Sequence, residues 1–139
     1  MTHYKIGALA RETGYTVEAI RYYEREGLLP APDRSEGNYR LYDRQHLSRL
    51  QFIRHCRSLD MALGDIRSLL GFRDHPERNC GGVNALLDKH IAEVAERMRQ
   101  LADLEQQLLA LRASCPQAHT AQDCAILQQL AGSSPHKAC

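Results

Sequence analysis

The sequence predicts a mainly α-helical fold with one small β-hairpin, in which the longest helix pairs with the same helix of a second copy. Three observations support this prediction. Two short helical stretches near the N-terminus flank a glycine turn, a stretch with Pro and Gly follows them, and residues 83–114 contain neither Pro nor Gly. The 139 residues fit one domain, or a small domain with a long extension. No run of apolar residues approaches the length of a membrane span.

The two N-terminal helical stretches carry start and stop signals close together. Ile6, Leu9 and Ala10 fall at helical spacing, and Gly14 ends that helix. Thr16 can then cap a second helix with the sequence VEAIRYYERE. Two short helices joined by a tight turn are typical of a helix-turn-helix, although their spacing alone also fits an ordinary helical hairpin.

The next stretch, LLPAPDRSEGNYRLYD, predicts a β-hairpin, or wing. Its prolines oppose a helix, Glu36-Gly37-Asn38 offers a turn, and the following YRLY has strand character. Asp43 can cap a further helix, and another helix runs through residues 66–70 before a break at DHPERN.

Positive charge is concentrated in the wing and in the helix after it. Residues 34–57 hold six arginines and two acidic residues, although the whole chain has a formal net charge of only +1. Residues 80–139 are nearly neutral, with five basic and six acidic residues. One end of the chain therefore suits a polyanion, and the other end has a different role.

Residues 83–114 repeat apolar side chains with alternating spacings of four and three. This pattern is a heptad seam, interrupted at Glu105, and it indicates a helix that packs along its length against another helix. The seam residues are Leu87, Ile91, Val94, Met98, Leu101 and Leu108.

The five cysteines point to metal binding or redox chemistry. The N-terminal sequence MTHYKIGALARETG lacks the apolar core of a signal peptide, so we expect a cytoplasmic chain, in which structural disulfides are rare. Cys115 and Cys124 end the loop CPQAHTAQDC, which is too polar for a core, and Cys80 stands just before the long helix. Cys56 lies mid-helix in FIRHCRSL, where a buried structural cysteine is the better interpretation.

The long helix separates the three remaining candidate ligands. At about 1.5 Å per residue, the roughly 30 residues from 83 to 112 span about 45 Å, whereas metal–thiolate bonds are about 2.3 Å. Cys80 therefore cannot share an ion with Cys115 and Cys124 of its own chain, but it can if two helices pair antiparallel. We expect two equivalent sites, each completed by Cys80 of the partner subunit, with His119 as a candidate fourth donor. Two tail residues are further candidates: His136 and Cys139.

Three stretches of this sequence resemble the MerR family of transcriptional regulators: IGALARETGYTVEAIRYYEREGLL, RSEGNYRLYD and FIRHCRSLDM. The resemblance implies a winged helix-turn-helix DNA-binding domain over residues 1–75. It further implies a long antiparallel coiled-coil dimerisation helix over 80–114 and a C-terminal metal-binding loop with a short helix over 115–131. The last stretch, GSSPHKAC, is expected from its own residues to form a flexible tail over 132–139.

The resemblance also implies which residues meet DNA. They are Thr16, Arg21, Tyr22 and Tyr23 on the recognition helix and its cap, Arg34, Tyr39 and Arg40 on the wing, and Arg54 on the next helix. Phosphate contacts position such a protein, whereas recognition-helix contacts in the major groove select sequence. On helix geometry Tyr23 lies nearer the packed face than Arg21 and Tyr22, so part of its role belongs to the core.

Proteins similar to this chain act at promoters whose two recognition elements lie too far apart. The implied partners are double-stranded promoter DNA, a second copy of the chain in a homodimer, and RNA polymerase, with no membrane. The metal-free dimer is expected to repress, and the metal-loaded dimer to activate by bending and untwisting the DNA. Such a distortion costs several kcal/mol, which metal binding must offset.

The cysteine set favours a soft divalent ion. Relatives that sense monovalent copper or silver have serine where Cys80 stands, and a third thiolate suits a +2 ion. The flanks CGGVNALLDKHI and CAILQQL resemble the lead- and cadmium-sensing branch. Pb²⁺ or Cd²⁺ is therefore the first expectation, and Hg²⁺ or Zn²⁺ is the alternative. One departure from that branch is Gly14, where many of its members carry cysteine.

Two other classes of function compete with this interpretation. An enzyme is disfavoured, because the sequence has no nucleophile–base arrangement and no phosphate-binding glycine loop. A thiol metal buffer would use the cysteines but would leave the arginine-rich wing without a role.

Overall fold

The computed structural model describes residues 3–132, and most of that range is α-helix. The helices are Ile6–Thr13 (α1), Val17–Arg25 (α2), Arg44–Ser58 (α3), Leu63–Asp74 (α4), Gly81–Ala113 (α5) and Ala125–Leu130 (α6). Two short strands, Asp33–Arg34 (β1) and Arg40–Leu41 (β2), pair antiparallel between α2 and α3. The predicted mainly α-helical fold with a two-stranded wing is confirmed.

The turn between α1 and α2 follows from two local signals. Gly14 adopts a left-handed backbone with φ 77°, and its N–H donates to the Ala10 carbonyl at 2.9 Å to close α1. Thr16 caps α2, because its side-chain oxygen accepts a hydrogen bond from the Ala19 N–H at 3.1 Å. Both signals act as the sequence predicted, and they place α1 and α2 as a helix-turn-helix.

The wing is a tight antiparallel hairpin in which Arg34 lies opposite Arg40. Asn38 allows the chain to reverse with φ 65°, a left-handed conformation that Asn tolerates better than most residues. Tyr42 anchors the base of the wing, because its backbone exchanges two hydrogen bonds with Tyr4, in the segment before α1. Each strand has only two residues, so regular pairing is shorter than the YRLY stretch suggested.

The N-terminal helices enclose an aliphatic core. Each of α1 to α4 contributes a side chain that is fully buried: Leu9, Ile20, Leu50 and Ile66. Burial of one such side chain stabilises the fold by about 1.5–3 kcal/mol. Cys56 is buried in the same core, as its mid-helix position predicted, and burial raises the pKa of its thiol.

Helix α3 begins at a capping box that also holds the segment leading into the wing. The Asp43 carboxylate accepts hydrogen bonds from the N–H groups of Gln45 and His46, and His46 Nδ1 accepts the Asp43 N–H at 3.1 Å. Nε2 carries a proton and donates to the Pro30 carbonyl at 2.9 Å, and Nδ1 also lies 2.9 Å from the Asp43 carboxylate oxygen. Asp43 therefore caps α3 as predicted.

Helix α5 runs unbroken for 33 residues, starting two residues before the predicted position 83. Along this helix the described chain has no buried residue. The six seam residues are between 38% and 66% exposed, so the predicted heptad seam forms an uncovered apolar face on the single chain.

The chain divides into two compact units, Met1–Leu86 and Leu87–Cys139. The division falls inside α5, because Val83 and Leu86 pack on the core of the first unit. In the second unit, a 3₁₀ turn at Ala121–Asp123 precedes α6, the short terminal helix that the sequence predicted. Between residues 3 and 132, no helix combines the length and the apolar character needed to cross a membrane.

Candidate DNA interface and metal-binding loop

A positively charged groove of about 530 Å³ lies between α2 and the wing. Its basic lining residues are Lys5, Arg21, Arg25, Arg34 and Arg40, and its other lining residues are Ile6, Glu24, Asn38 and Tyr39. Guanidinium groups contributed by both α2 and the wing, together with the Lys5 ammonium group at the start of α1, suit a phosphate backbone, which carries one negative charge per nucleotide.

Helix α2 divides its predicted DNA-contacting residues between surface and core. Arg21 is exposed and lines the groove, and Tyr22 is 41% exposed. Tyr23 is only 8% exposed, and its ring packs edge-on against Tyr15 with 5.4 Å between ring centroids. Tyr23 is therefore a core residue in this structure, as helix geometry suggested, whereas Arg21 and Tyr22 remain available at the surface.

The predicted wing residues lie on the surface that Arg21 shares. Arg34 Nη1 donates to the Asn38 carbonyl at 3.2 Å, which holds the guanidinium across the hairpin turn. Tyr39 is 65% exposed beside this turn, and Arg40 lines the groove from β2. The structure thus brings one recognition-helix arginine and three wing residues to one groove, although they are separated in sequence.

Two further basic residues, which the sequence did not predict as DNA-binding, also line the groove. Lys5 Nζ lies 5.5 Å from the centroid of the Tyr39 ring, a cation–π distance, so it approaches the wing from the start of α1. Arg25 follows Arg21 by four residues on α2, and that spacing places both on one helix face. The spacing could have identified Arg25, whereas the position of Lys5 depends on the tertiary fold.

Arg54 braces the helix-turn-helix from α3. Its Nη1 donates to the Thr13 carbonyl, and its guanidinium lies where a Cβ atom at Gly14 would have to go. The left-handed backbone at position 14 therefore favours glycine, and any side chain there would also require the end of the Arg54 side chain to move. Many members of the lead- and cadmium-sensing branch carry cysteine at this position, and the glycine of this chain has a structural reason. A DNA contact by Arg54 stays a prediction.

The loop after α5 brings two of the predicted metal ligands into one cavity. Cys115 is buried, Cys124 is half-buried at the N-terminal end of α6, and both line the cavity together with His119. Arg112, in the last turn of α5, donates from Nη1 to the Cys115 carbonyl at 2.8 Å and so fixes the start of the loop. Two sulfurs and an imidazole are donors that suit a soft or borderline metal rather than Mg²⁺ or Ca²⁺.

The redox state of the cysteines bears on this donor set. Cys56, Cys80 and Cys124 are free thiols, and Cys115 is disulfide-bonded. Thiolate, not disulfide sulfur, is the metal ligand, so a metal site at this loop requires Cys115 in its reduced form.

Cys80 belongs to the first unit and is exposed immediately before α5. It lines a mainly apolar cleft whose other residues include Phe72 and Val83. Within residues 3–132 of the single chain, no group of three or more His, Cys, Asp and Glu side chains could hold a metal ion. The candidate tail ligands His136 and Cys139 lie outside the described residues.

Comparison with known proteins gives two overlapping family matches. Residues 4–72 match the MerR HTH family regulatory protein model, and residues 47–111 match the MerR DNA-binding model. A Haemophilus influenzae protein described as an HTH-type transcriptional regulator ZntR homolog is 51% identical over 108 residues, covering 78% of this chain and 80% of the relative.

Two solved structures are similar along almost the whole chain. The transcription regulator PbrR691 from Ralstonia metallidurans CH34, in complex with lead(II), is 54% identical with a TM-score of 0.83, and the match covers 91% of this chain and 98% of PbrR691. MerR from Bacillus megaterium MB1, in complex with mercury(II), is 32% identical with a TM-score of 0.73, covering 92% and 99%. These relatives are regulators of transcription, not enzymes. The chain, with its helix-turn-helix, its wing and its basic groove, belongs to the MerR family of helix-turn-helix transcriptional regulators.

Proposed function

We propose that this regulator is an antiparallel homodimer that binds promoter DNA and responds to a soft divalent metal, with Pb²⁺ or Cd²⁺ first and Hg²⁺ or Zn²⁺ as alternatives. The observation that carries the proposal is the cavity shared by Cys115, Cys124 and His119 just after an unbroken helix of 33 residues. As a protein that acts on promoter DNA, it is expected in the cytoplasm.

The DNA-binding role falls to residues 1–75. The basic groove lies beside the exposed face of α2, so a duplex that received Arg21 and Tyr22 in its major groove would bring phosphates to the wing arginines. Thr16 holds the start of α2 by capping it. Base contacts from α2 would select the sequence, and phosphate contacts from the wing and Arg54 would set the register.

The dimerisation role falls to residues 80–114. A helix with a long apolar stripe, interrupted only at Glu105 and exposed in the single chain, is stable in water when a second helix covers the stripe. Antiparallel pairing of two copies covers both stripes at once. It also brings the start of α5 in one copy beside the end of α5 in the other copy.

The metal-sensing role falls to the loop and short helix at residues 115–131. We propose that Cys115 and Cys124 bind the ion together with Cys80 of the partner subunit, because α5 extends for about 50 Å at about 1.5 Å per residue. Three thiolates around a +2 ion suit Pb²⁺, whereas Cd²⁺ and Zn²⁺ favour a fourth donor, for which His119 is positioned in the same cavity. The similarity to PbrR691 in complex with lead(II) supports the order of metals.

Metal binding would regulate transcription by selecting one dimer conformation. The metal-free dimer is proposed to hold the promoter undistorted and repress it. The metal-loaded dimer is proposed to bend and untwist the DNA so that RNA polymerase engages both promoter elements. Since such distortion costs several kcal/mol, the metal must bind the distorting conformation more tightly by a comparable amount.

A reporter driven by the regulated promoter, titrated with Pb, Cd, Hg, Zn and Cu salts, tests the proposal. We expect Pb²⁺ or Cd²⁺ to induce at the lowest concentration and Cu⁺ not to induce. Cys80→Ser, Cys115→Ser and Cys124→Ser should each abolish induction while footprinting still detects the bound promoter, and Cys56→Ala is the matched control that keeps induction. Wild-type induction in any of the three serine variants would remove that residue from the site.

A further inference from the structure

Glu24 is the one acidic side chain among the described residues that line the basic groove. A carboxylate there repels the phosphates that the surrounding arginines attract. We therefore expect Glu24 to have a second role that offsets this repulsion. Glu24 is half-buried, and its Oε2 accepts a hydrogen bond from the Tyr42 hydroxyl at 2.9 Å. This bond joins α2 to the base of the wing.

The Tyr42 end of this bond is held rigidly. Tyr42 has no exposed surface, and its ring meets the His46 imidazole edge-on at 5.0 Å between centroids. Its backbone is fixed by the two hydrogen bonds to Tyr4. Burial and the bond to Glu24 raise the pKa of Tyr42 to about 12, against the opposing effect of Arg40, so the hydroxyl is protonated and donates at neutral pH.

The position of Tyr42 couples this bond to the groove. Arg40 lies two residues before Tyr42 on the same extended segment, and Arg21 lies three residues before Glu24 on α2. A bond that fixes Tyr42 against Glu24 therefore fixes the two sides of the groove against each other. The Tyr42 hydroxyl is buried and cannot contact DNA, so it can affect DNA binding only by positioning the wing against α2.

A carboxylate in a major-groove reader can also accept a hydrogen bond from the cytosine amino group. Here Glu24 is half-buried and one carboxylate oxygen is already engaged by Tyr42, which favours an internal role. We propose that the Glu24–Tyr42 hydrogen bond is a strut that sets the spacing between the recognition helix and the wing, and that both residues are positioning residues for sequence-specific DNA binding.

The strut affects specific and non-specific binding differently. Specific binding needs recognition-helix and wing contacts at the same time, and therefore depends on their spacing. Non-specific binding depends mainly on the number of positive charges, which the strut does not change. A residue that matters only for folding would weaken both kinds of binding alike.

The test uses the full-length, reduced, metal-free protein and two labelled duplexes. One duplex is the site that the wild-type protein selects from a random-sequence pool, and the other is a scrambled duplex of the same composition. Tyr42→Phe and Glu24→Ala should each weaken binding to the selected duplex about tenfold, as expected for loss of a hydrogen bond to a charged group. Binding of Tyr42→Phe to the scrambled duplex should change less than about twofold, whereas Glu24→Ala, which removes a carboxylate that repels phosphates, should bind the scrambled duplex no more weakly than wild type.

Glu24→Gln is the rescue variant, because its amide oxygen still accepts the Tyr42 hydroxyl, and it should bind the selected duplex within about threefold of wild type. Tyr4→Phe removes a hydroxyl from the neighbouring tyrosine outside the strut and serves as the matched control. If Tyr42→Phe unfolds, Glu24→Ala, at a half-buried surface position, carries the test alone. Equal losses on both duplexes, no loss at all, or an altered base preference when Glu24→Gln repeats the selection would each overturn the strut.

Discussion

Single residues decide whether the helix-turn-helix can form in this chain. Gly14 combines a left-handed backbone with a space that the Arg54 guanidinium fills, whereas Gly27 has the same φ of 77° and no atom within 4 Å of an added Cβ. Substitutions at these two glycines therefore distinguish the cost of backbone strain from the cost of a steric collision.

We predict that Gly14→Ala lowers the free energy of unfolding by about 2–3 kcal/mol, because strain and collision add. Gly27→Ala should lose only about 1 kcal/mol, from strain. Gly64→Ala, inside α4 with open space around it, should be neutral or stabilising by about 0.5–1 kcal/mol. Urea unfolding of the three variants measures all of these values. A Gly14→Ala variant no less stable than Gly27→Ala would show that Arg54 moves aside freely.

At the scale of elements, the capping of α3 has a pH dependence with a definite sign. Burial by itself raises the pKa of Asp43, but the hydrogen bonds from His46 and the Gln45 N–H outweigh it and leave that pKa below its ordinary value. A carboxylate with a lowered pKa in the folded state stabilises the fold above its unfolded pKa and loses that contribution as the pH falls through the folded pKa.

We therefore predict that Asp43→Ala lowers the free energy of unfolding by about 1 kcal/mol at neutral pH. The difference from wild type should shrink as the pH falls from about 4 through the lowered folded pKa, because the wild-type carboxylate becomes protonated over that range. Asp33→Ala, at an exposed strand position outside any cap, should change stability by less than about 0.5 kcal/mol. Urea unfolding between pH 3 and 7 checks this, and an Asp43→Ala difference that is the same at every pH would contradict the capping account.

The seam of α5 makes a second prediction at this scale. Leu101→Asp places a charge in the middle of the exposed apolar stripe and should convert the proposed dimer to a monomer in sedimentation. Gln107→Asp, on the opposite face of the same helix, adds the same charge and should leave the dimer intact. Dissociation by both variants to the same degree would mean that charge, and not the seam, controls assembly.

The elements themselves could be predicted from sequence where their signals are local. The glycine turn, the Thr16 and Asp43 caps, the wing turn at Asn38 and the break before Cys80 all depend on a few adjacent residues. The contacts between elements could not be predicted. Arg54 binds a carbonyl 41 residues earlier, and Tyr42 binds a carboxylate 18 residues earlier. No periodic pattern in the sequence predicts such long-range pairs. Only the folded structure therefore identifies Lys5 and Glu24 as groove residues.

At the scale of the whole molecule, the proposed regulation requires two copies of the chain, in which each region has a separate role. In the proposed function, arginines of the first unit contact DNA, α5 joins the copies, and the loop cysteines bind the metal. If Cys80 of the partner subunit completes the site, the affinity for the metal depends on how the two copies are arranged. Coupling of that kind lets an ion bound at one end of a helix favour a DNA-distorting arrangement at the other.

Subunit complementation tests this central claim most directly. One chain carries Cys80→Ser, the other carries Cys115→Ser with Cys124→Ser, and the reduced heterodimer is purified through two different tags. Titration with Pb²⁺, followed by lead–thiolate charge-transfer absorption, should fill one three-thiolate site in the heterodimer, half the wild-type amount, while neither parent homodimer fills any. A heterodimer that binds Pb²⁺ no better than its parents would contradict a site shared between subunits.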